Sequence, residues 1–269
     1  MSSQLRENRQ DTAAPDGGSA RASADPGEIS RFEAMAVQWW SPAGPMAALH
    51  KMNPVRVKWI CEQIALHFPV ADGSRRTPAR AGCLSGLSIV DVGCGGGILS
   101  EALCRLGASV TGLEPARKNL DIARAHAADH GLGIDYRSDT AEAMAAAGHS
   151  YDVVCALEVV EHVVDMEDFV ATLGTLVKPG GLLFVSTLNR TLKSFALAIV
   201  GAEYVLRWVP QGTHQWEKFV KPAELRDAIV AGGLKVTAQT GIVYNPLARQ
   251  WRISGDTDVN YILAARRRG

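Results

Sequence analysis

The sequence predicts a doubly wound α/β fold: a mostly parallel, Rossmann-like sheet with N-terminal helices and an inserted lid after strand five. Three observations predict it. After Gly86, short apolar runs alternate with amphipathic stretches, as βαβ units do when helices cover both faces of a sheet. Within that pattern, Ile89-Val90-Asp91-Val92 feeds Gly93-Cys94-Gly95-Gly96-Gly97 and then Ile98-Leu99-Ser100-Glu101-Ala102-Leu103, which reads as strand, glycine turn and helix. The chain has 269 residues, 47% hydrophobic and 21% charged, enough for one large domain with a buried core.

The elements follow in order. Residues 1–28 read as a disordered tail and 29–269 as the folded domain, because the first stretch is polar and rich in Gly, Pro and Ser. Ile29, Phe32, Met35, Ala36 and Trp39 have helical spacing, so Ile29–Trp40 is expected to be a helix. Asn53-Pro54 looks like an N-cap and first-turn pair, opening a helix through Ile64. Asp72–Gly86 is an exposed connector. Strands are expected at Leu87–Val92, Ser109–Glu114, Ile134–Arg137, Tyr151–Leu157 and Gly181–Leu188. Helices are expected at Gly97–Leu106, Ala116–His130, Ala141–Ala146 and Asp165–Val177. Leu234–Thr240 and Val259–Arg266 look like further strands, the second suited to an edge.

Composition excludes some functions. Lys plus Arg equals Asp plus Glu at 28 each, so no global field favours nucleic acid. Cys61, Cys83, Cys94, Cys104 and Cys155 form no C-x-x-C pair, which fits a reducing compartment rather than a disulfide framework. The first thirty residues show no apolar secretory core.

The glycine turn lies where open α/β sheets bind ligands, at the carboxyl ends of the strands. Glu114 ends the second strand, 21 residues after Gly93, where a carboxylate can accept hydrogen bonds from both hydroxyls of a ribose. Glycines and an acid would also suit NAD. However, the run lacks the G-x-G-x-x-G spacing that seats a pyrophosphate, and Asp91 offers a carboxylate to a cationic methionine moiety. S-adenosylmethionine is therefore the expected ligand, against the plainer reading of a turn that needs glycines. Asp139-Thr140 follows the third strand and suits either the adenine edge or a helix N-cap.

Glu158-Val159-Val160-Glu161-His162 follows the fourth strand. On a helix, Glu158, Glu161 and His162 would share one face beside the glycine loop. Such a set can ligate a divalent cation, supply a general base, or simply begin a solvated helix. A sulfonium methyl donor needs an electron-rich nucleophile, and a phenol is mostly protonated at neutral pH. A base or a metal would both answer that need.

At this point the chain resembles the ubiquinone-biosynthesis O-methyltransferases over about residues 29–265. The matching stretches include Leu49-His50, Asn53-Pro54-Val55-Arg56, Asp91 to Leu99, Glu161-His162-Val163, Ser186-Thr187-Leu188-Asn189-Arg190, Val200-Gly201-Ala202-Glu203-Tyr204 and Asp258-Val259-Asn260-Tyr261. D-V-G-C-G-x-G is common to many methyltransferases; S-T-L-N-R, V-G-A-E-Y and D-V-N-Y are far more particular.

The resemblance implies methyl transfer from S-adenosylmethionine to a phenolic hydroxyl of polyprenyl catechols, at both O-methylation steps and including demethylubiquinol to ubiquinol. It puts Arg56, Gly93, Glu114 and Leu157 at the cofactor, joining Asp91, Gly95 and Asp139 read from the residues themselves, and Glu158, Glu161 and His162 at a Mg²⁺-type ion, with His162 and Glu158 catalytic. It also implies a cytoplasmic protein held peripherally at the inner membrane, in reach of other enzymes of the pathway. Two departures are Glu114, where members often carry Asp, and the long Asp72–Gly86 connector. The rival expectations are a methyltransferase for another small acceptor and a non-catalytic nucleotide-binding protein.

Ser194–Val209 is strongly apolar but shorter than the ~20 residues a bilayer span needs, and it carries Glu203 and Arg207. With Arg190, Lys193, Arg207 and Trp208 it suits a lid that touches the membrane through residues 190–209; a core helix is the plainer reading. His214 and Trp216 follow as candidate pocket residues.

Overall fold

A computed structural model describes residues 23, 25–34, 36–41, 44–69, 73–78, 80–195 and 216–269. The elements in chain order are α1 (Pro26–Ala34), α2 (Ala47–His67), β1 (Ser88–Val92), α3 (Ile98–Arg105), β2 (Ser109–Leu113), α4 (Arg117–Asp129), β3 (Asp135–Arg137), α5 (Ala141–Ala146) and β4 (Tyr151–Leu157). They continue with α6 (Met166–Leu176), β5 (Val177–Leu188), α7 (Leu192–Ser194), α8 (Pro222–Ala231), β6 (Leu234–Asn245), β7 (Gln250–Ser254) and β8 (Asn260–Arg267).

The eight strands form one sheet in the order β3-β2-β1-β4-β5-β8-β6-β7. Strands β1 to β5 are parallel to their neighbours, and β8 enters antiparallel between β5 and β6. Chain order reverses between β1 and β4, so the crevice above their carboxyl ends is the topological switch point.

Alternation along the central strands builds two cores. Val90, Val154, Leu183 and Val185 pack with Phe169 and Leu173 of α6 and Leu225 of α8 on one face. Ile89, Val153, Cys155 and Phe184 pack with Trp59, Ile60 and Ile64 of α2 and Leu103 of α3 on the other. Because both faces are buried, these strands read as largely apolar runs, and β1, β2 and β4 lie within a residue of their expected bounds; β5 instead begins at Val177, four residues before the expected Gly181, and β6 runs past Thr240 to Asn245.

Four expectations change. The Ile29–Trp40 helix is instead α1, begun earlier at Pro26, followed by a separate 3-10 turn at Ala36–Gln38. Glu28 is buried within that helix, so the polar tail ends before residue 28. Asn53-Pro54 does not open a helix: α2 starts at Ala47 and carries Pro54 inside it. An internal proline removes one helical hydrogen bond; burial of Met52, Trp59, Ile60 and Ile64 holds the helix together, and Asn53 spends its amide on the Ile98 carbonyl at 3.0 Å. Finally, β8 lies inside the sheet, and the edge belongs to β7, a five-residue strand in which only Trp251 and Ile253 are apolar.

Of the 190–209 segment, only residues 190–195 are described. There Arg190 pairs with Glu224, and Lys193 with Asp256 at 2.5 Å and Asp258 at 3.3 Å. Leu192 is 82% exposed and Phe195 is exposed beside it. Among the described residues, no helix is long and apolar enough to cross a membrane.

Candidate active site

The glycine loop follows β1 because the chain must turn sharply from a buried strand into α3. Gly93, Gly95 and Gly97 all have positive φ, and Gly97 stands at the N-terminus of α3. Gly95 also permits a close approach: a Cβ there would lie 2.2 Å from Trp39 Cη2. The Trp39 indole lies on Gly95 and Gly96 and donates from Nε1 to Asn119 Oδ1 at 3.0 Å. Trp40 donates from Nε1 to the Gly96 carbonyl at 2.9 Å. The segment after α1 is therefore the roof of the loop. The sequence showed Trp39 only as an apolar helical position.

Two carboxylates flank the loop. Asp91 is buried, accepts from Ser100 Oγ at 2.6 Å, and is pushed up to about 7 by burial. Glu114 Oε2 accepts from Gly95 N at 3.0 Å and Oε1 from Ala116 N at 2.9 Å. Burial raises its carboxyl, and the two N–H donors oppose that. Glu114 thus stands at the end of β2 and braces the loop. Asp139 lies apart from these, accepting from Thr140 N at 2.9 Å, while Thr140 caps α5 by accepting from Ala143 N at 3.2 Å. The helix-cap reading of Thr140 therefore holds.

Next to the loop is a second group. Val159 joins the two: a Cβ on Gly93 would meet Val159 Cγ2 at 2.6 Å. Glu158 does not begin a helix. It has φ of 59°, in the left-handed region, and only Val160–His162 form a short 3-10 turn. A non-glycine residue in that conformation persists when its surroundings fix it. Here Glu158 N donates to Ser186 O at 2.9 Å. Its Oε1 accepts from Arg56 Nη2 at 2.5 Å, Ser186 Oγ at 2.7 Å and Asn260 Nδ2 at 3.0 Å.

Arg56 comes from α2 and is buried, which lowers its guanidinium, while Glu158 and Glu161 oppose that. Its Nε and the Asn260 Oδ1 are buried without a protein partner. Glu161 is also buried and accepts from Thr187 Oγ1 at 2.8 Å. Burial, then the charge of Glu158, pushes its carboxyl up to about 8. His162 Nδ1 is 3.2 Å from Glu28 Oε2.

The structure thus gathers Asp91, Gly93, Gly95 and Glu114 around the loop, and Arg56, Glu158 and Glu161 beside it, with Leu157 ending β4 between them. The common helical face expected for Glu158, Glu161 and His162 is not formed, because Glu158 turns left-handed before the 3-10 turn. Among the described residues, these three are not a group whose donor atoms lie within 4.8 Å of one another. Ser100, Ser186, Thr187, Asn260 and Glu28 went unassigned in the sequence. Ser186, Thr187 and Asn260 fall in the S-T-L-N-R and D-V-N-Y stretches, so that signal was visible without its chemistry.

Comparisons with known proteins give the family and the fold. Residues 69–239 match the methyltransferase domain family. The chain is 57% identical over 245 residues to the ubiquinone biosynthesis O-methyltransferase of Methylobacterium nodulans, covering 91% of this chain and 96% of that one. It is 51% identical over 248 residues to the protein of the same name from Rhizobium johnstonii, covering 92% and 98%. Among solved structures it resembles magnesium protoporphyrin IX methyltransferase from Synechocystis PCC 6803 with bound SAH, at TM-score 0.54 and 23% identity over 81% of this chain and 84% of that one. It also resembles an S-adenosylmethionine-dependent methyltransferase from Clostridium acetobutylicum, at TM-score 0.55 and 11% identity over 90% and 99%. At these identities the two structures speak for the fold alone.

Proposed function

The chain belongs to the ubiquinone-biosynthesis O-methyltransferases, which are S-adenosylmethionine-dependent enzymes, and from that premise we propose its acceptor, its site residues and its setting. The acceptor is a polyprenylated catechol or quinol, methylated at a phenolic hydroxyl in both O-methylation steps. The observation that carries this is the Arg56–Glu158–Glu161 group at the switch point, beside a glycine loop flanked by two carboxylates.

In the reaction the phenol loses its proton, its oxygen attacks the methyl carbon in line, and the C–S electron pair leaves with sulfur as S-adenosylhomocysteine. Asp91 and the Gly93–Gly95 backbone face the methionine moiety, Glu114 the ribose, and Asp139 and Leu157 the adenine side. Arg56 holds Glu158 in place. The proton passes to a base in the Glu158–His162 stretch, with His162 or Glu158 in that role. A carboxyl raised to about 8, as Glu161 is, remains largely protonated at neutral pH and is poor as the base.

A divalent cation of the Mg²⁺ type fits the donor chemistry here. Glu161 is a buried carboxyl raised by a neighbouring negative charge, so a positive charge would relieve it. Glu158, Glu161 and His162 would hold the ion, which when bound supplies Lewis-acid stabilisation of the phenolate. Residues 26–269, α1 included, act as one domain. Exposed Leu192 and Phe195 favour peripheral attachment to the inner membrane from the cytoplasmic side, near a lipid-soluble substrate and within reach of other enzymes of the pathway.

The test is transfer of labelled methyl from S-adenosylmethionine to a polyprenyl catechol, with and without Mg²⁺. O-methyl product is expected, and Glu161→Ala should abolish any Mg²⁺ dependence. Absence of product, with methylation of a non-phenolic acceptor, would overturn the assignment.

A further inference from the structure

Helices α3 and α4 meet away from the acceptor group, beneath the roof of the glycine loop. Glu101 of α3 is completely buried, and both its oxygens are engaged. Oε1 is 2.6 Å from His126 Nδ1, and Oε2 is 2.7 Å from Arg105 Nη2. His126 and His130 stand four residues apart, which puts them on one side of α4. Their rings stack at 4.2 Å between centroids, and the His126 ring also lies flat on Trp40 at 3.5 Å with an interplanar angle of 4°. One donor atom each from Glu101, His126 and His130 lie within 4.8 Å of one another, the only such triple among the described residues.

We propose that Glu101, His126 and His130 bind a divalent transition metal of the Zn²⁺ type, at a site separate from the acceptor group. Two imidazoles and one carboxylate are a donor set that suits Zn²⁺, whereas Mg²⁺ and Ca²⁺ favour oxygens alone. Zn²⁺ takes nitrogen and oxygen ligands at about 2.0–2.2 Å, so its donor atoms stand roughly 3–3.5 Å apart, within the span these three already share. The ion takes the place of the proton shared by His126 Nδ1 and Glu101 Oε1.

His130 is oriented for the task. Its Nδ1 lies 2.8 Å from the His126 carbonyl oxygen, a bond of the kind that fixes the tautomer of a ligating imidazole. His130 is exposed, so the fourth position opens to water.

The site is connected to the cofactor loop. His126 stacks on Trp40, and Trp40 donates to the Gly96 carbonyl at 2.9 Å. A bound ion fixes the His126 ring and, through it, the indole that holds the loop. Binding of metal and of S-adenosylmethionine are then mutually dependent, each changing the other's affinity by the same factor.

The experiment uses the full, untagged chain, stripped with a chelator. Co²⁺ is added as a spectroscopic probe and then displaced by Zn²⁺, with tryptophan fluorescence followed in parallel. The expected result, in excess Mg²⁺ to fill the acceptor group, is one equivalent of Co²⁺ with visible absorption, displacement by Zn²⁺, and a fluorescence change. His130→Ala, an exposed substitution that should leave folding intact, weakens binding at least ~tenfold. With excess Mg²⁺ present to fill the acceptor group, Glu161→Gln keeps the visible Co²⁺ absorption, which separates this site from that group. No stoichiometric binding, or binding that survives His130→Ala and so belongs to cysteines, would overturn the proposal.

Discussion

Replacing Arg56 with Met removes a charge while nearly keeping the volume, and the structure fixes what must follow. Arg56 Nη2 lies 2.5 Å from Glu158 Oε1, and the side chains of the pair are 2% and 25% exposed. Glu161, buried beside them, already has its carboxyl raised to about 8 by burial and by Glu158. Removing one partner of a buried ion pair leaves an uncompensated charge and costs about 3–5 kcal/mol. For a domain of this size that is a fall of about 10 °C in Tm.

The loss should also depend on pH. With Arg56 gone, Glu161 keeps the Thr187 hydroxyl but loses the nearby positive charge, so its already raised carboxyl is raised further. An acid whose folded value is raised contributes stability that is complete below its unfolded value and is lost as pH rises through the folded one. For Glu161 that window runs from 4.5 to about 8. Arg56→Met should therefore be mildly destabilised near pH 5 and severely near pH 9, while the unaltered chain changes less. Arg56→Met/Glu158→Gln should recover much of the loss, since Gln leaves no unpaired charge. Urea unfolding of the three proteins across that range measures all of this. A deficit below ~1 kcal/mol, or one that does not grow with pH, would refute the reasoning.

The other predictions concern the loop and its flanks. Gly95→Ala forces Trp39 off the loop, because the new Cβ meets the indole at 2.2 Å; S-adenosylmethionine affinity and Trp fluorescence should both change, and unchanged values would mean that Trp39 yields without consequence. Asp91 folds with a value of about 7 against an ordinary 3.8, so its contribution is lost as pH rises between those values. Asp91→Asn should accordingly be more stable than the unaltered chain at pH 8, by roughly 4 kcal/mol at most, and not at pH 4, while binding S-adenosylmethionine more weakly. Equal thermal stability at pH 8 would show that burial does not strain this carboxylate. Thr140→Ala should cost about 1 kcal/mol by uncapping α5 and leave cofactor affinity alone; a large loss of affinity would instead assign the hydroxyl to the adenine.

Much of the fold was legible because both faces of the sheet are buried. Strands such as Tyr151–Leu157 are apolar from Val153 to Leu157, and the amphipathic stretches between the strands read as helices. Pro54 misled because propensity marks a helix start, whereas tertiary burial of Trp59, Ile60 and Ile64 carries α2 through it. β7 went unseen because it is a five-residue edge strand whose alternation rests on Trp251 and Ile253 alone, with only Trp251 packed on the core.

The site was legible where chemistry lies in consecutive residues, as in the glycine run and in Glu158 to His162. It was not legible where function depends on long-range approach. Trp39 on Gly95, Arg56 against Glu158 and Asn260 against Glu158 join residues 56 to 102 positions apart, which no local period encodes. The left-handed backbone at Glu158 was equally hidden, since nothing short of the Ser186, Arg56 and Asn260 contacts compels a glutamate to adopt it.

The central claim is that the Arg56–Glu158–Glu161 group beside the glycine loop serves methyl transfer to a phenol. The most direct measurement is single-turnover transfer of labelled methyl from S-adenosylmethionine to a polyprenyl catechol by the unaltered chain and by Glu158→Gln, with cofactor affinity measured on both. Labelled O-methyl product from the unaltered chain, and a large loss of rate in Glu158→Gln at preserved S-adenosylmethionine affinity, is the predicted result. Full transfer by Glu158→Gln, or no phenolic product from the unaltered chain, would contradict it.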